Sequence, residues 1–179
     1  MRPELLLHPN IPKPLHGMSP RELLGDEWWD STREWVYRNA GYRCQCCGVP
    51  KQEAKYHKWL EAHETYDYDY AEGLATVNEI VALCHSCHNY IHSGRLQALL
   101  DAGKIHASKH RDIMQHGDRI LREAGLTRPE PPEEIAEWSR WRIVICGQVC
   151  PTRWPSYEHW FNHYHRHCAI PEVKIDLKF

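Results

Sequence analysis

The sequence predicts an α+β fold: a β-hairpin and a following helix stapled by a structural zinc ion, surrounded by helices, with a small C-terminal hairpin–helix module. Three observations predict it. Two Cys-x2-Cys pairs, Cys44/Cys47 and Cys84/Cys87, bracket a segment that contains two strand-like runs. His88 and His92 follow the second pair at the i, i+4 spacing of one helix face, and His63 lies inside the bracketed segment. Apolar residues return at helical intervals before the first pair and after the second. The boundaries that follow are an extended Pro-rich arm over 1–20, a metal-bearing domain with its helical surround over 21–127, and the C-terminal module over 128–179.

Composition narrows the class. The chain has 179 residues, enough for one medium domain or a core with appendages. Hydrophobic content is 42%, but eight Trp and nine Tyr add large buried areas, and a zinc staple supplies folding energy that a thin core lacks. Eight cysteines would suit a secreted disulfide framework, yet four of them stand in pairs flanked by histidines, which is metal spacing. The N-terminal run Leu5-Leu6-Leu7 is broken by His8 and Pro9, so neither a signal peptide nor a membrane span is expected. The compartment expected is the reducing cytoplasm. A net charge of −2 excludes a uniformly basic surface. Positive charge is local, at Lys51, Lys55 and Lys58 and again at Arg95, Lys104, Lys109 and Arg111.

In chain order, Pro3, Pro9, Pro12 and Pro14 fix φ and remove donors, which makes the N-terminus an arm rather than a helix. Ser19-Pro20-Arg21-Glu22 has the capping-box pattern, predicting a short helix that stops at Gly25. A longer helix is expected from about Asp26 to Asn39, with Trp28, Trp35 and Val36 on its core face. Leu60–Glu64 predicts a short strand, Asp67–Gly73 a turn, and Val77–Leu83 a second strand. The helix carrying His88 and His92 breaks or bends at Gly94. Two supporting helices follow, the first ending at Gly103 and the second capped by Ser108; His106, His110 and His116 are expected as surface or packing residues. Arg142–Ile145 predicts a strand, Gly147-Gln148 a hairpin turn, and Ser156–His167 a helix. The tail from Val173 to Leu177 alternates, as a strand or docking arm would.

Two sets of residues carry metal chemistry. Cys44, Cys47, Cys84 and Cys87 have the spacing of a four-thiolate structural zinc, with Gly48 freeing the knuckle backbone and Cys46 a spectator. His63, His88 and His92 bring neutral imidazoles from a strand and a helix toward one divalent ion. Each histidine alone is explained by hydrogen bonding or surface exposure; beside the paired knuckles the metal reading prevails. A further pattern, Cys146-x3-Cys150-x12-His163-x3-His167 with Cys168 behind it, has two-Cys, two-His zinc spacing. Its alternative is a hairpin and helix packed by Trp141, Trp154 and Trp160.

Leu60-Glu61-Ala62-His63-Glu64, followed by Leu83-Cys84-x2-Cys87-His88-Asn89-x2-His92, resembles the HNH endonucleases that carry a four-cysteine zinc site. The resemblance covers residues 42–93, and the stretch to about 125 is similar to phage and bacterial HNH proteins. It implies a ββα-metal centre that binds Mg²⁺ or another divalent ion and cleaves DNA, often by nicking, in a bacterial or phage-infected cell. Residues implied are His63 as the indispensable base or ligand, Glu64 as its partner, at the base position or, with Asp67 as an alternative, helping to hold metal, and Asn78 as the residue that orients the base; the local positive charge of Lys51, Lys55, Lys58 and Arg95 is the expected contact with DNA. Two departures stand out: a strict alignment puts Glu64 at the base position, and Glu79 where the middle Asn belongs, with Asn78 one residue earlier. Adjacent strand residues point to opposite faces, so only a bend brings both His63 and Glu64 to one site. The rival is a cleavage-deficient scaffold of this type that keeps zinc and binds nucleic acid or protein.

Overall fold

The computed structural model describes residues 1–130 and 132–165. Its N-terminal segment lies along the domain. Proline excludes a regular helix there, and the backbone makes two 3-10 turns instead, Pro3–Leu7 and Lys13–Leu15. Leu5, Leu6 and Leu15 are buried. Arg2 anchors the start: its guanidinium donates to both Glu79 oxygens, at 3.0 and 2.6 Å, and its backbone N–H donates to the Gln45 carbonyl at 2.8 Å. The arm is thus a turned strap with apolar anchors rather than an extended tail.

Helix α1 (Pro20–Leu24) begins as the capping pattern requires, with Ser19 Oγ accepting from the Glu22 N–H at 3.4 Å, and ends at Gly25, whose φ of 88° a side chain would resist. Helix α2 (Asp26–Asn39) buries Val36, with Tyr37 and Ala40 beside it. Trp35 is 62% exposed and Trp28 only half-buried, contrary to the expected core face. The packed face is set by Val36 and Ala40, so a Trp at 35 lies about 100° around the helix from it.

Strands β1 (Glu61–Asp69) and β2 (Leu74–Leu83) form an antiparallel hairpin longer than the sequence suggested. The segment expected as a turn from Asp67 is strand to Asp69, because Tyr66, Tyr68 and Tyr70 alternate with Asp67 and Asp69 and their rings line up at 5.6 and 5.4 Å. Thr65 pairs with Glu79 and Tyr66 with Val77, so Asn78 is the extra residue of a bulge.

Helix α3 (His85–Ile91) gives way to α4 (Ser93–Asp101) at His92, two residues before the Gly94 break expected. Helix α5 (Ala107–Glu123) is capped by His106, whose Nδ1 accepts from the Ser108 N–H at 3.2 Å; Ser108 itself is already helical. Helices α3 and α5 approach closely where Gly117 meets Tyr90: a Cβ at 117 would stand 2.2 Å from the ring. The Tyr90 hydroxyl donates to Asp118 at 2.7 Å across the same contact.

Strands β3 (Arg142–Ile145) and β4 (Gln148–Pro151) form the second hairpin, joined at Cys146-Gly147 with φ of 49° and 75° at the two positions. Gln148, expected in the turn, opens β4. Strand β3 pairs parallel with β2, from Leu74–Arg142 to Thr76–Val144, so one four-stranded mixed sheet runs β1-β2-β3-β4. The C-terminal hairpin therefore extends the sheet of the preceding unit. Helix α6 (Tyr157–His165) packs Trp160 onto the strap. One core gathers Leu6, Val36, Leu83, Ile91 and Ile113 around the first Cys region; a second gathers Leu15, Tyr66, Trp141 and Ile143.

His16 joins the strap to α6. Its Nδ1 accepts from the Trp160 indole N–H at 3.2 Å, which assigns the proton to Nε2, facing the Ile11 carbonyl at 3.1 Å. Burial holds His16 below its ordinary 6.5, because a second ring proton would be desolvated and would point at another N–H. The folded chain thus binds fewer protons here than the unfolded one. This contribution is complete above about 6.5 and is lost as pH falls below it. His16→Gln is expected to flatten the loss of thermal stability between about pH 7.5 and about pH 5; an unchanged slope would count against it. Gly117→Ala is expected to lower unfolding free energy by about 3 kcal/mol, the upper end for overpacking. An unchanged melting temperature would contradict the α3–α5 contact.

Candidate metal centres

Four sulfurs come together between the hairpin and α3. In the first knuckle the Cys44 N–H donates to the Val49 carbonyl at 2.9 Å and the Gly48 N–H to the Cys44 carbonyl at 2.8 Å. Gly48 closes this turn at φ 78°. Gln45 ties the knuckle to the end of β2: its N–H donates to the Ala82 carbonyl at 2.8 Å, and its Oε1 accepts from the Ala82 N–H at 2.7 Å. Cys84 precedes α3 and Cys87 lies in its first turn. The sulfurs of Cys44, Cys47, Cys84 and Cys87 lie within 4.8 Å of one another, close enough to hold one metal ion such as zinc; Cys46 is not among the four. Hydrogen bonds from Cys44, Cys84 and Cys87 hold the Cys47 thiol far below its ordinary value, while those with Cys44 and Cys47 push Cys84 far above. Sulfurs that contest protons in this way are well suited to share a dication. His116, expected as a packing residue, sits with Nε2 3.5 Å from Cys87 Sγ and so supports this cluster from α5.

A second cluster joins β1 to α3. His63, His88 and His92 each offer a ring nitrogen within 4.8 Å of the others. Their ring centroids are 5.3 Å (His63–His88), 4.9 Å (His63–His92) and 4.6 Å (His88–His92) apart. His63 is 1% exposed, and among the described residues neither of its ring nitrogens has a hydrogen-bond partner. Buried polar atoms are rarely left so, and two on one ring facing two more imidazoles fit a metal ion. Burial first, and then His88 and His92, pull the His63 pKa well below 6.5; burial pushes His92 down to about 3. Both rings are therefore neutral, the form that binds metal. The strap roofs this cluster. His8 stands edge-on to His63 at 5.3 Å, and its Nε2 accepts from the Tyr66 N–H at 2.7 Å.

Glu64 is outside both clusters; the Tyr66 hydroxyl donates to it at 3.3 Å, and burial raises its pKa. The bulge that bends β1 against β2 comes after Thr65, too late to turn Glu64 toward His63. Asn78 is exposed at that bulge. Glu79, at the other departure, clamps Arg2. Of the basic residues, Lys55 is paired with Asp112 at 2.6 Å, Lys51 lies over the Tyr42 ring, Lys58 donates to the Ala54 carbonyl at 3.4 Å, and Arg95 is exposed, with its charge acting on His92.

Sequence reasoning passed over Glu61, His85 and Asn89. Glu61 Oε1 is 2.7 Å from His85 Nδ1, and Oε2 is 2.5 Å from His88 Nδ1. Burial alone would raise the Glu61 pKa, but these two contacts together hold it well below the carboxylate range. The buried Asn89 donates to the His85 carbonyl at 2.9 Å. A signal existed: Glu61 is two residues before His63, hence on its strand face, and His85, His88 and His92 share one helix face.

Among the described residues Cys146, Cys150 and His163 do not form a cluster; His167 and Cys168 lie outside them, as does the tail over 173–177. Cys146 occupies a turn, and Trp154 and Trp160 pack the module as the plainer alternative has it. No described helix is long and apolar enough to cross a membrane. No protein-family model, curated protein or solved structure matches the chain.

Structural zinc contributes about 10 kcal/mol or more in small domains, comparable to the whole stability of a typical fold. Cys84→Ala or strong chelation is therefore expected to abolish cooperative unfolding. His63→Ala is expected to leave the chain folded, since the ring it removes has unpaired nitrogens. Equal loss of thermal stability in both variants would undo this division.

Proposed function

We propose that the chain is a metal-dependent endonuclease of the HNH type, hydrolysing DNA phosphodiester bonds at a ββα-metal centre. The observation that carries the proposal is His63: a buried imidazole with both nitrogens unpaired, facing His88 and His92. The order β1, β2, α3, with the sulfur cluster at its base, supports the same reading.

His63, His88 and His92 would hold the divalent ion. When bound, that ion supplies charge stabilisation at phosphorus and an acidified water. Near-complete burial of His63 supports a ligand role for it. Burial raises the proton affinity of Glu64, but its side chain stands outside the cluster, against the Tyr66 hydroxyl. DNA approaches from the half-exposed side of His88 and His92, where Arg95 meets phosphate.

One observation favours the rival, a cleavage-deficient scaffold. Glu79 anchors the strap through Arg2, and Asn78 is exposed, so neither supplies the amide that this chemistry uses to orient a base. Supercoiled plasmid with Mg²⁺, Mn²⁺ or Ni²⁺ separates the two. Nicking by the zinc-loaded chain, reduced about 100-fold or more in His88→Ala and His92→Ala, is the expected result. A folded, metal-loaded chain that cleaves nothing would establish the scaffold instead.

A further inference from the structure

A third group of ligands stands beside the histidine cluster. His57 comes from the loop before β1, Glu61 is the first residue of β1, and His85 is the first of α3; each offers one ligand atom, all within 4.8 Å. We propose that His57, Glu61 and His85 form a third metal-ion site, distinct from the sulfur cluster and from His63, His88 and His92.

The rings are held in position. His57 stacks on Trp59 with centroids 4.1 Å apart and meets His85 edge-on at 4.3 Å. Asn89, itself 3% exposed, ties the His85 backbone. The decisive feature is the convergence of three ligand atoms from three separate elements. The Glu61 side chain is 23% exposed, and its ion-pair partners among the described residues are His85 and His88, with no Lys or Arg. Glu61 and His85 meet at 2.7 Å, where they share either a proton or a metal ion. Two imidazoles and one carboxylate select late divalent transition metals, zinc among them, over Mg²⁺.

The site also touches its neighbour. Glu61 Oε2 lies 2.5 Å from His88 Nδ1, so the carboxylate of this site also orients an imidazole of the histidine cluster. The inference rests on this geometry and not on the reaction proposed above.

The test uses the full chain dialysed against micromolar Zn²⁺, followed by elemental analysis and chelator competition. The double variant His57→Ala/His85→Ala is expected to hold one zinc fewer per chain than the parent. The variant His63→Ala/His92→Ala is expected to lose a different one, so that combining all four changes removes two. His57→Ala alone, a loop change that leaves helical circular dichroism unaltered, is expected to weaken one zinc by about tenfold or more. Equal zinc content and equal affinity in the parent and in folded His57→Ala would overturn the site. A chain that fails to cleave DNA yet loses zinc with His57 would sink the nuclease reading and leave this one standing.

Discussion

Everything in the central unit depends on where the sulfurs meet. Gln45 hydrogen-bonds both ways with Ala82, so the first knuckle is laid against the last residues of β2. Two residues later Cys84 starts the turn into α3, and Cys87 completes the cluster. The distance between hairpin and helix is thereby fixed at one end. With that end fixed, His63 on β1 and His88 and His92 on the helix side converge, although no backbone hydrogen bond joins β1 to α3. A protein with few large aliphatic residues would gain from a metal ion held here, because ligand bonds would replace apolar area that the core does not have. His116 extends the constraint to α5, and the tight Gly117–Tyr90 contact keeps α5 in place.

The strap introduces a tension. Leu5 and Leu6 complete the core around the sulfur cluster, and the same segment brings His8 onto His63. Burial keeps His63 neutral and ready for metal, but closes one side of it to any substrate. For the nuclease proposed above, the open side is that of His88 and His92. Glu79 belongs to this arrangement: its bidentate pairing with Arg2 fixes the strap's first residue, which accounts for an acidic residue at a position where the resemblance leads one to expect an amide.

Legibility followed the range of the interactions. The sulfur cluster and the histidine cluster were readable because both ligand spacings are local, at i, i+3 and i, i+4, and ligand chemistry restricts what they pair with. The Ser19 cap and the Gly25 stop were readable for the same reason. The parallel pairing of β2 with β3 was not, since nothing near Arg142 specifies a partner some seventy residues away. Trp35 misled because a large apolar side chain indicates burial only when the helix presents that face, and Val36 decided the face. The strand from Thr65 to Asp69 was misjudged through its charge: acidic residues suggested a turn, whereas the alternating tyrosines carried the relevant period. Glu61 and His85 escaped notice because their meaning is mutual. Neither forms a motif alone, and only the folded hairpin sets one against the other.

Charge arithmetic joins these clusters to the wider surface. The chain carries −2 overall, and β1 itself bears Glu61, Glu64, Asp67 and Asp69. Screening at physiological salt confines attraction to roughly 8 Å, so a phosphate responds to local groups and not to the total. A dication held by four thiolates leaves that cluster anionic, whereas one held by three neutral imidazoles leaves its cluster cationic by the full charge of the ion. A third ion at His57, Glu61 and His85 would turn the adjoining carboxylate site cationic as well. On this reasoning the acidic strand is compatible with an anionic substrate because the ions proposed for it reverse its sign locally. Were those ions bound, basic residues would have only to extend the positive field they begin, and Arg95 is exposed with its charge acting on His92.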